Sequence, residues 1–140
     1  ESFKKPYLIG AHISEGVKLP SGENISEIMT TIDHKKLLGI MLSCVSPENY
    51  EKNLNEIKSL GVPFGFKLNG FVTTKPAAGY TNTFNKSKTG NPNEFLGHRE
   101  DLIPEKMALF VKKFKEAGAT ILGGCCETRP AHIKEMARLK

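Results

Sequence analysis

The stretch Ala119-Thr-Ile-Leu-Gly-Gly-Cys-Cys-Glu-Thr-Arg-Pro-Ala-His-Ile133 constrains this chain more than any other. Thr120, Ile121 and Leu122 suit a short buried strand, and Gly123 and Gly124 permit a close backbone approach. Pro130 fits the first turn of a helix capped by Thr128 or Arg129. Two adjacent cysteines therefore sit where a strand ends and a helix begins, the edge at which α/β folds bind ligands. The free N–H groups of such a helix start are expected to favour thiolate over thiol.

A disulfide between Cys125 and Cys126 would be strained, because neighbouring Cα atoms lie about 3.8 Å apart and bridged cysteines usually need about 4.4–6.8 Å. Two buried free thiols acting as small apolar residues is the plain alternative. The third cysteine, Cys44, lies in Gly39-Ile-Met-Leu-Ser-Cys-Val-Ser-Pro-Glu48, again an apolar strand followed by a serine-proline helix start. If the strands are parallel, both cysteine sites share one edge of the sheet and three sulfurs can converge on one ion. Three protein ligands leave a tetrahedral metal one open position, the pattern of a catalytic zinc site.

These segments resemble the homocysteine S-methyltransferases, a family that includes betaine- and S-methylmethionine-dependent enzymes. Gly123-Gly124-Cys125-Cys126 with Pro130 and His132-Ile133 is similar to the family's Gly-Gly-Cys-Cys signature and the helix after it. Cys44-Val45-Ser46-Pro47-Glu48 resembles the upstream zinc cysteine, and Asp101-Leu102-Ile103-Pro104-Glu105 the segment opening the penultimate helix. The resemblance implies a zinc ion held by Cys44, Cys125 and Cys126, with homocysteine and a small methyl donor as substrates. It also implies a (β/α)₈ barrel of about twice this length, of which this chain is the C-terminal half. Residues holding the amino-acid end of homocysteine and the donor pocket then belong largely to the other half, and no catalytic acid or base is assigned here. Departures from the pattern are Met41 for a glycine, Ser43 for an asparagine, Glu127 for a glycine and Arg129 for a threonine or aspartate.

The rest of the chain reads as alternating strands and helices. Tyr7–His12 is a first strand whose apolar run predicts burial on both faces, as in a parallel sheet. His12, near its ligand-facing end, is either a substrate contact or a partly buried histidine satisfied by neighbours. A Gly/Pro/Ser-rich loop covers Glu15–Glu23. Ile25, Ile28, Met29 and Ile32 recur at helical spacing, which makes Met29 a core residue. Ser46 and Pro47 start a second helix, with Tyr50, Leu54 and Ile57 inward and Gly61 as its stop. A strand follows over Val62–Leu68.

From Asn69-Gly70 to Ile103 the sequence is polar and aperiodic, a length that in compact domains marks a functional or disordered segment. It is read as a lid over the metal edge or a surface excursion. Asn69 is a candidate substrate-binding residue or a simple turn residue. Pro104 to Gly118 is the clearest helix, with Met107, Phe110, Val111, Phe114 and Ala117 as its apolar stripe. In the last helix Ile133, Met136 and Ala137 are predicted inward, with His132 in an exposed first turn. The predicted class is α/β: four βα units with parallel strands, half of a TIM-type barrel, in one domain spanning residues 1–140.

The formal charge of +5 invites a nucleic-acid reading. The lysines are dispersed, however, with Lys35-Lys36 and Lys112, Lys113 and Lys115 on polar helix faces and no aromatic residues interleaved, so no nucleic-acid partner is expected. No apolar run approaches the roughly 20 residues of a membrane span, the start lacks a signal-peptide core, and three cysteines cannot all pair. A cytoplasmic setting and no membrane partner are expected. The missing initiating methionine fits a fragment or processed chain. Four βα units cannot close a barrel alone, so a homodimer or association with an N-terminal half is expected. The competing functions are a non-catalytic zinc-binding fragment and a vicinal-dithiol module for redox chemistry or metal sequestration.

Overall fold

A computed structural model describes residues 4–13, 15–32, 34–74 and 94–139. Four strands, β1 (Tyr7–Ala11), β2 (Leu37–Val45), β3 (Phe64–Leu68) and β4 (Ile121–Gly124), form one sheet in the order β1-β2-β3-β4. All three pairings are parallel. Helices α1 (Ile28–Thr31), α2 (Pro47–Ser59), α3 (Pro104–Glu116) and α4 (Pro130–Ala137) complete the βα alternation. The fold is α/β and consistent with part of a TIM-type barrel.

Local chemistry explains most boundaries. Ser46 caps α2 by accepting from the Asn49 backbone N–H at 3.2 Å, Pro47 takes its first turn, and Gly61 beyond its end has φ 69°. Pro104 and Pro130 open α3 and α4, and Gly118 follows α3 at φ 111°. The first helix is a 3₁₀ turn, Ile25–Glu27, running into the single turn of α1, with Ile25 fully buried. Strand β3 begins at Phe64 rather than Val62 because Pro63 contributes only its carbonyl, which accepts from Ile40 N–H at 2.9 Å.

The core fills the space between the sheet and α2, α3 and α4. Tyr50, Phe66 and Phe114 are fully buried and meet edge to face, with ring centroids 4.7–5.6 Å apart. Each such aromatic side chain contributes about 1.5–3 kcal/mol through burial alone. Ile40, Leu42, Val45, Met107 and Val111 are also fully buried. Gly65 is obligatory here, because a Cβ would sit 1.8 Å from the Ile121 carbonyl oxygen.

The expectation that β1 is buried on both faces is corrected. Ile9 and Ala11 pack on the core while Leu8 is 47% exposed. The face away from the helices carries Leu8, Gly10, Met41, Ser43, Gly65, Lys67, Ile121 and Gly123, and among the described residues nothing covers it as the helices cover the other. The register of α4 is corrected as well: Met136 is buried, but Ile133 and Ala137 are exposed and His132 is buried. His132 Nε2 meets the Leu102 carbonyl at 2.9 Å, so the histidine takes the inward slot expected for its neighbour.

Candidate metal centre

Cys44 stands at an irregularity in β2. Ile40 and Leu42 point to the helix-side core, so simple alternation would send Cys44 there too. Instead the register with β3 shifts between Ser43 and Val45, and Val45 takes the core position opposite Leu68. Cys44 occupies the extra position of this bulge with φ 56°, a left-handed backbone that costs a non-glycine residue about 1–2 kcal/mol.

Cys125 and Cys126 sit just past β4. Cys125 N–H donates to the Leu68 carbonyl at 2.7 Å, extending the ladder, and the Cys125 carbonyl accepts from Thr128 N–H at 3.2 Å and Thr128 Oγ1 at 2.6 Å. A Cβ on Gly124 would meet Thr128 Oγ1 at 2.4 Å, so a larger residue there would displace the hydroxyl that bonds the Cys125 carbonyl. Glu127 closes the turn at φ 61°, the conformation for which glycine is the usual choice. Its carboxylate lies 3.2 Å from His98 Nδ1.

These two turns bring all three sulfurs within 4.8 Å of one another. Cys44 Sγ is 3.8 Å from Cys126 Sγ, and Cys125 Sγ is 3.9 Å from Cys126 Sγ. Zinc–sulfur bonds of about 2.3 Å require an edge of about 3.8 Å in a tetrahedron. The donor set and its spacing therefore fit a zinc ion. All three cysteines are free and half-buried, and theirs is the cluster of metal-ligating side chains among the described residues.

The expected thiolate bias is not met at Cys126. Burial first, and then the neighbouring Cys125 and Cys126, push the Cys44 thiol up to about 12. Burial and the charge of Cys125 raise Cys126 as well. Helix α4 begins only at Pro130, beyond the Cys125–Thr128 turn. Cys44 and Cys126 thus favour the protonated form until a cation supplies the compensating charge.

Asn69 lies beside this cluster and is fully buried. Its Nδ2 donates to the Cys44 carbonyl at 2.7 Å and lies 3.7 Å from Cys44 Sγ, while its Oδ1 accepts from Phe71 N–H at 3.1 Å. His12 is exposed, with Nδ1 3.2 Å from the Ser43 carbonyl. His132 is remote in function: its two ring nitrogens face Leu102 and the Arg129 N–H. Lys67 was not singled out from sequence, yet it is exposed on the open face in one row with Ser43 and Gly123. Its signal was a charge interrupting Phe64-Gly-Phe-Lys-Leu68.

The segment after β3 is anchored to the same edge. Gly70 N–H donates to the Cys126 carbonyl at 3.0 Å, and Arg99 N–H to the Gly70 carbonyl at 2.9 Å. Phe71 and His98 form an antiparallel bridge. The Arg99 guanidinium spans Glu48 at 2.7 Å and Asp101 at 2.9 Å. A cleft of about 250 Å³ beside this network is lined by Glu15, Asn49, Lys52 and Thr74 among others, without any cysteine. The lid expected between Gly70 and Ile103 falls chiefly on residues 75–93, which lie outside the described residues.

The family model described as Homocysteine S-methyltransferase matches residues 1–139, and the chain belongs to that family. Homocysteine S-methyltransferase 1 of Saccharomyces cerevisiae is 30% identical over 141 residues, covering 96% of this chain and 39% of the yeast protein. Homocysteine S-methyltransferase 2 of Arabidopsis thaliana is 26% identical over 132 residues, covering 94% of this chain and 35% of the plant protein. A Selenocysteine Se-methyltransferase of Brassica oleracea var. italica is 27% identical over 136 residues, 94% of this chain and 34% of the relative. The chain thus spans between a third and two fifths of the length of these relatives.

Proposed function

We propose that this chain supplies the metal-binding half of a zinc-dependent homocysteine S-methyltransferase, with Cys44, Cys125 and Cys126 as the protein ligands. The observation that carries the reading is the convergence of three sulfurs, two pairs of them 3.8 and 3.9 Å apart, in a chain of this family. A bound zinc ion would supply Lewis acidity that keeps a substrate thiol in its thiolate form near neutral pH.

The chain's own part is positional. The bulge at Cys44 and the turn at Cys125–Thr128 aim sulfurs from two non-adjacent strands at one point, with β3 between them. Cys44, Cys125 and Cys126 would hold the ion and leave one position for the homocysteine sulfur, whose thiolate would attack the methyl carbon of the donor. A sulfur–carbon bond forms as the donor's bond to that methyl breaks, giving methionine and the demethylated donor. S-methylmethionine, betaine and a folate all suit this chemistry.

In this reading residues 1–140 are the C-terminal half of a homocysteine-binding barrel, working in the cytoplasm. The uncovered face of the sheet supports association, with an N-terminal half or a second copy. No helix among the described residues is long and apolar enough to cross a membrane.

Methionine formation from homocysteine tests the reading, measured for the chain alone and mixed with the N-terminal half of a relative. Activity that requires both the mixture and zinc supports it. A zinc-loaded but inactive mixture points to a non-catalytic metal-binding chain. A zinc-free protein cycling between thiol and disulfide points to the vicinal-dithiol module.

A further inference from the structure

We infer that Asn69 is the positioning residue that turns Cys44 out of the core and into the three-sulfur cluster. The inference rests on the reading of that cluster as a metal site and assigns a task within it.

In an unbroken β2, Cys44 would follow Ile40 and Leu42 into the helix-side core. The bulge gives that slot to Val45, which is fully buried, and leaves Cys44 in a left-handed conformation. A residue held in that region needs its backbone groups fixed from outside. Asn69 fixes both residues of the bulge. Its backbone N–H donates to the Val45 carbonyl at 2.9 Å, and its side-chain Nδ2 donates to the Cys44 carbonyl at 2.7 Å.

The orientation of the amide follows from its partners. A carbonyl at one end must face the NH₂ group, and the Phe71 N–H at the other must face Oδ1. The second hydrogen of Nδ2 is then left for Cys44 Sγ, 3.7 Å away, where an N–H donor favours a sulfur carrying negative charge. With both ends engaged and the side chain fully buried, the amide serves Cys44 and not a diffusing substrate.

The test compares Asn69→Ala and Asn69→Asp with the unmodified 140-residue chain. The aspartate keeps an acceptor for Phe71 N–H but loses the donor to Cys44. Both variants are expected to bind zinc about 10–100-fold more weakly, the usual effect of losing a group that orients a metal ligand. In the zinc-loaded variants iodoacetamide should modify Cys44 while Cys125 and Cys126 stay protected. A purely structural role would lower stability without singling out Cys44.

A metal-free arm uses diamide, which oxidises Cys44 and Cys126 to a disulfide while it is reduced to the hydrazine. Coupling should be at least tenfold slower in Asn69→Asp. Absence of zinc binding by the unmodified chain, with this difference intact, would remove the metal reading and leave the role of Asn69 standing. Folded variants with unchanged zinc affinity and unchanged coupling would overturn it.

Discussion

His132 Nε2 lies 2.9 Å from the carbonyl oxygen of Leu102, joining the first turn of α4 to the segment that leads into α3. The other ring nitrogen, Nδ1, accepts from Arg129 N–H at 3.0 Å, so the proton resides on Nε2 and both ring nitrogens are satisfied. His132→Ala would leave the Leu102 carbonyl without its partner and is expected to cost about 1–3 kcal/mol of stability. Urea unfolding measures the loss. Zinc affinity should be unchanged, which separates this packing role from metal ligation.

Gly65 is the tightest contact in the sheet, since a Cβ there would stand 1.8 Å from the backbone of Ile121. Backbone cannot swing aside as a side chain can. Gly65→Ala is expected to push β3 from β4 and destabilise by about 1–3 kcal/mol or more, the range for overpacked cores. Because β4 leads directly to Cys125, the same variant should weaken zinc binding as well. Thermal unfolding and a zinc titration on one preparation test both effects.

The raised thiols give a signed dependence on pH. In the metal-free protein Cys44 holds its proton up to about 12, whereas the ordinary value is 9.0. The folded chain then binds more protons than the unfolded chain between those values. The contribution is fully present below pH 9 and is lost as pH rises towards 12. Zinc binding runs the opposite way: each thiol must release a proton, so affinity rises by about tenfold per pH unit for each proton released. Calorimetry in buffers of different ionisation enthalpy counts those protons at pH 7, and release of none would contradict protonated thiols.

Much of this arrangement is legible in the sequence. Proline and glycine mark the helix ends because they act locally: Ser46-Pro47, Pro104 and Gly118 fall where the structure puts caps and stops. The convergence of Cys44 with Cys125 and Cys126 follows from parallel strands, which place every strand end on one edge. What is not legible depends on tertiary partners. The burial of His132 in place of Ile133 follows from the Leu102 carbonyl, thirty positions away, which calls for a donor. The bulge at Cys44 leaves no mark in Leu-Ser-Cys-Val, because the residue that completes it, Asn69, lies on the next strand's exit. The thiol shift escapes a reading of one segment, since its causes include burial and two sulfurs from another.

Among the described residues the sheet ends in two strands, β1 and β4, each with a neighbour on one side only. Beside them Leu8 is 47% exposed on a face carrying Met41 and Ile121. Unpaired strand edges next to apolar side chains drive edge-to-edge association. A two-fold axis pairing β1 of one copy with β4 of the other would keep all strands parallel and cover both open faces. Sedimentation at micromolar concentration is expected to show a dimer or larger species. A well-folded, strictly monomeric chain would contradict this.

The zinc titration of single-cysteine variants bears most directly on the central claim that Cys44, Cys125 and Cys126 act as one ligand set. The unmodified chain is predicted to bind one zinc ion tightly and to protect all three thiols from alkylation. Replacing any one cysteine by alanine removes one of three protein ligands, and affinity should fall sharply in each case. Serine replacements should fare little better. Stoichiometric, tight binding retained by Cys125→Ala would contradict the three-sulfur site.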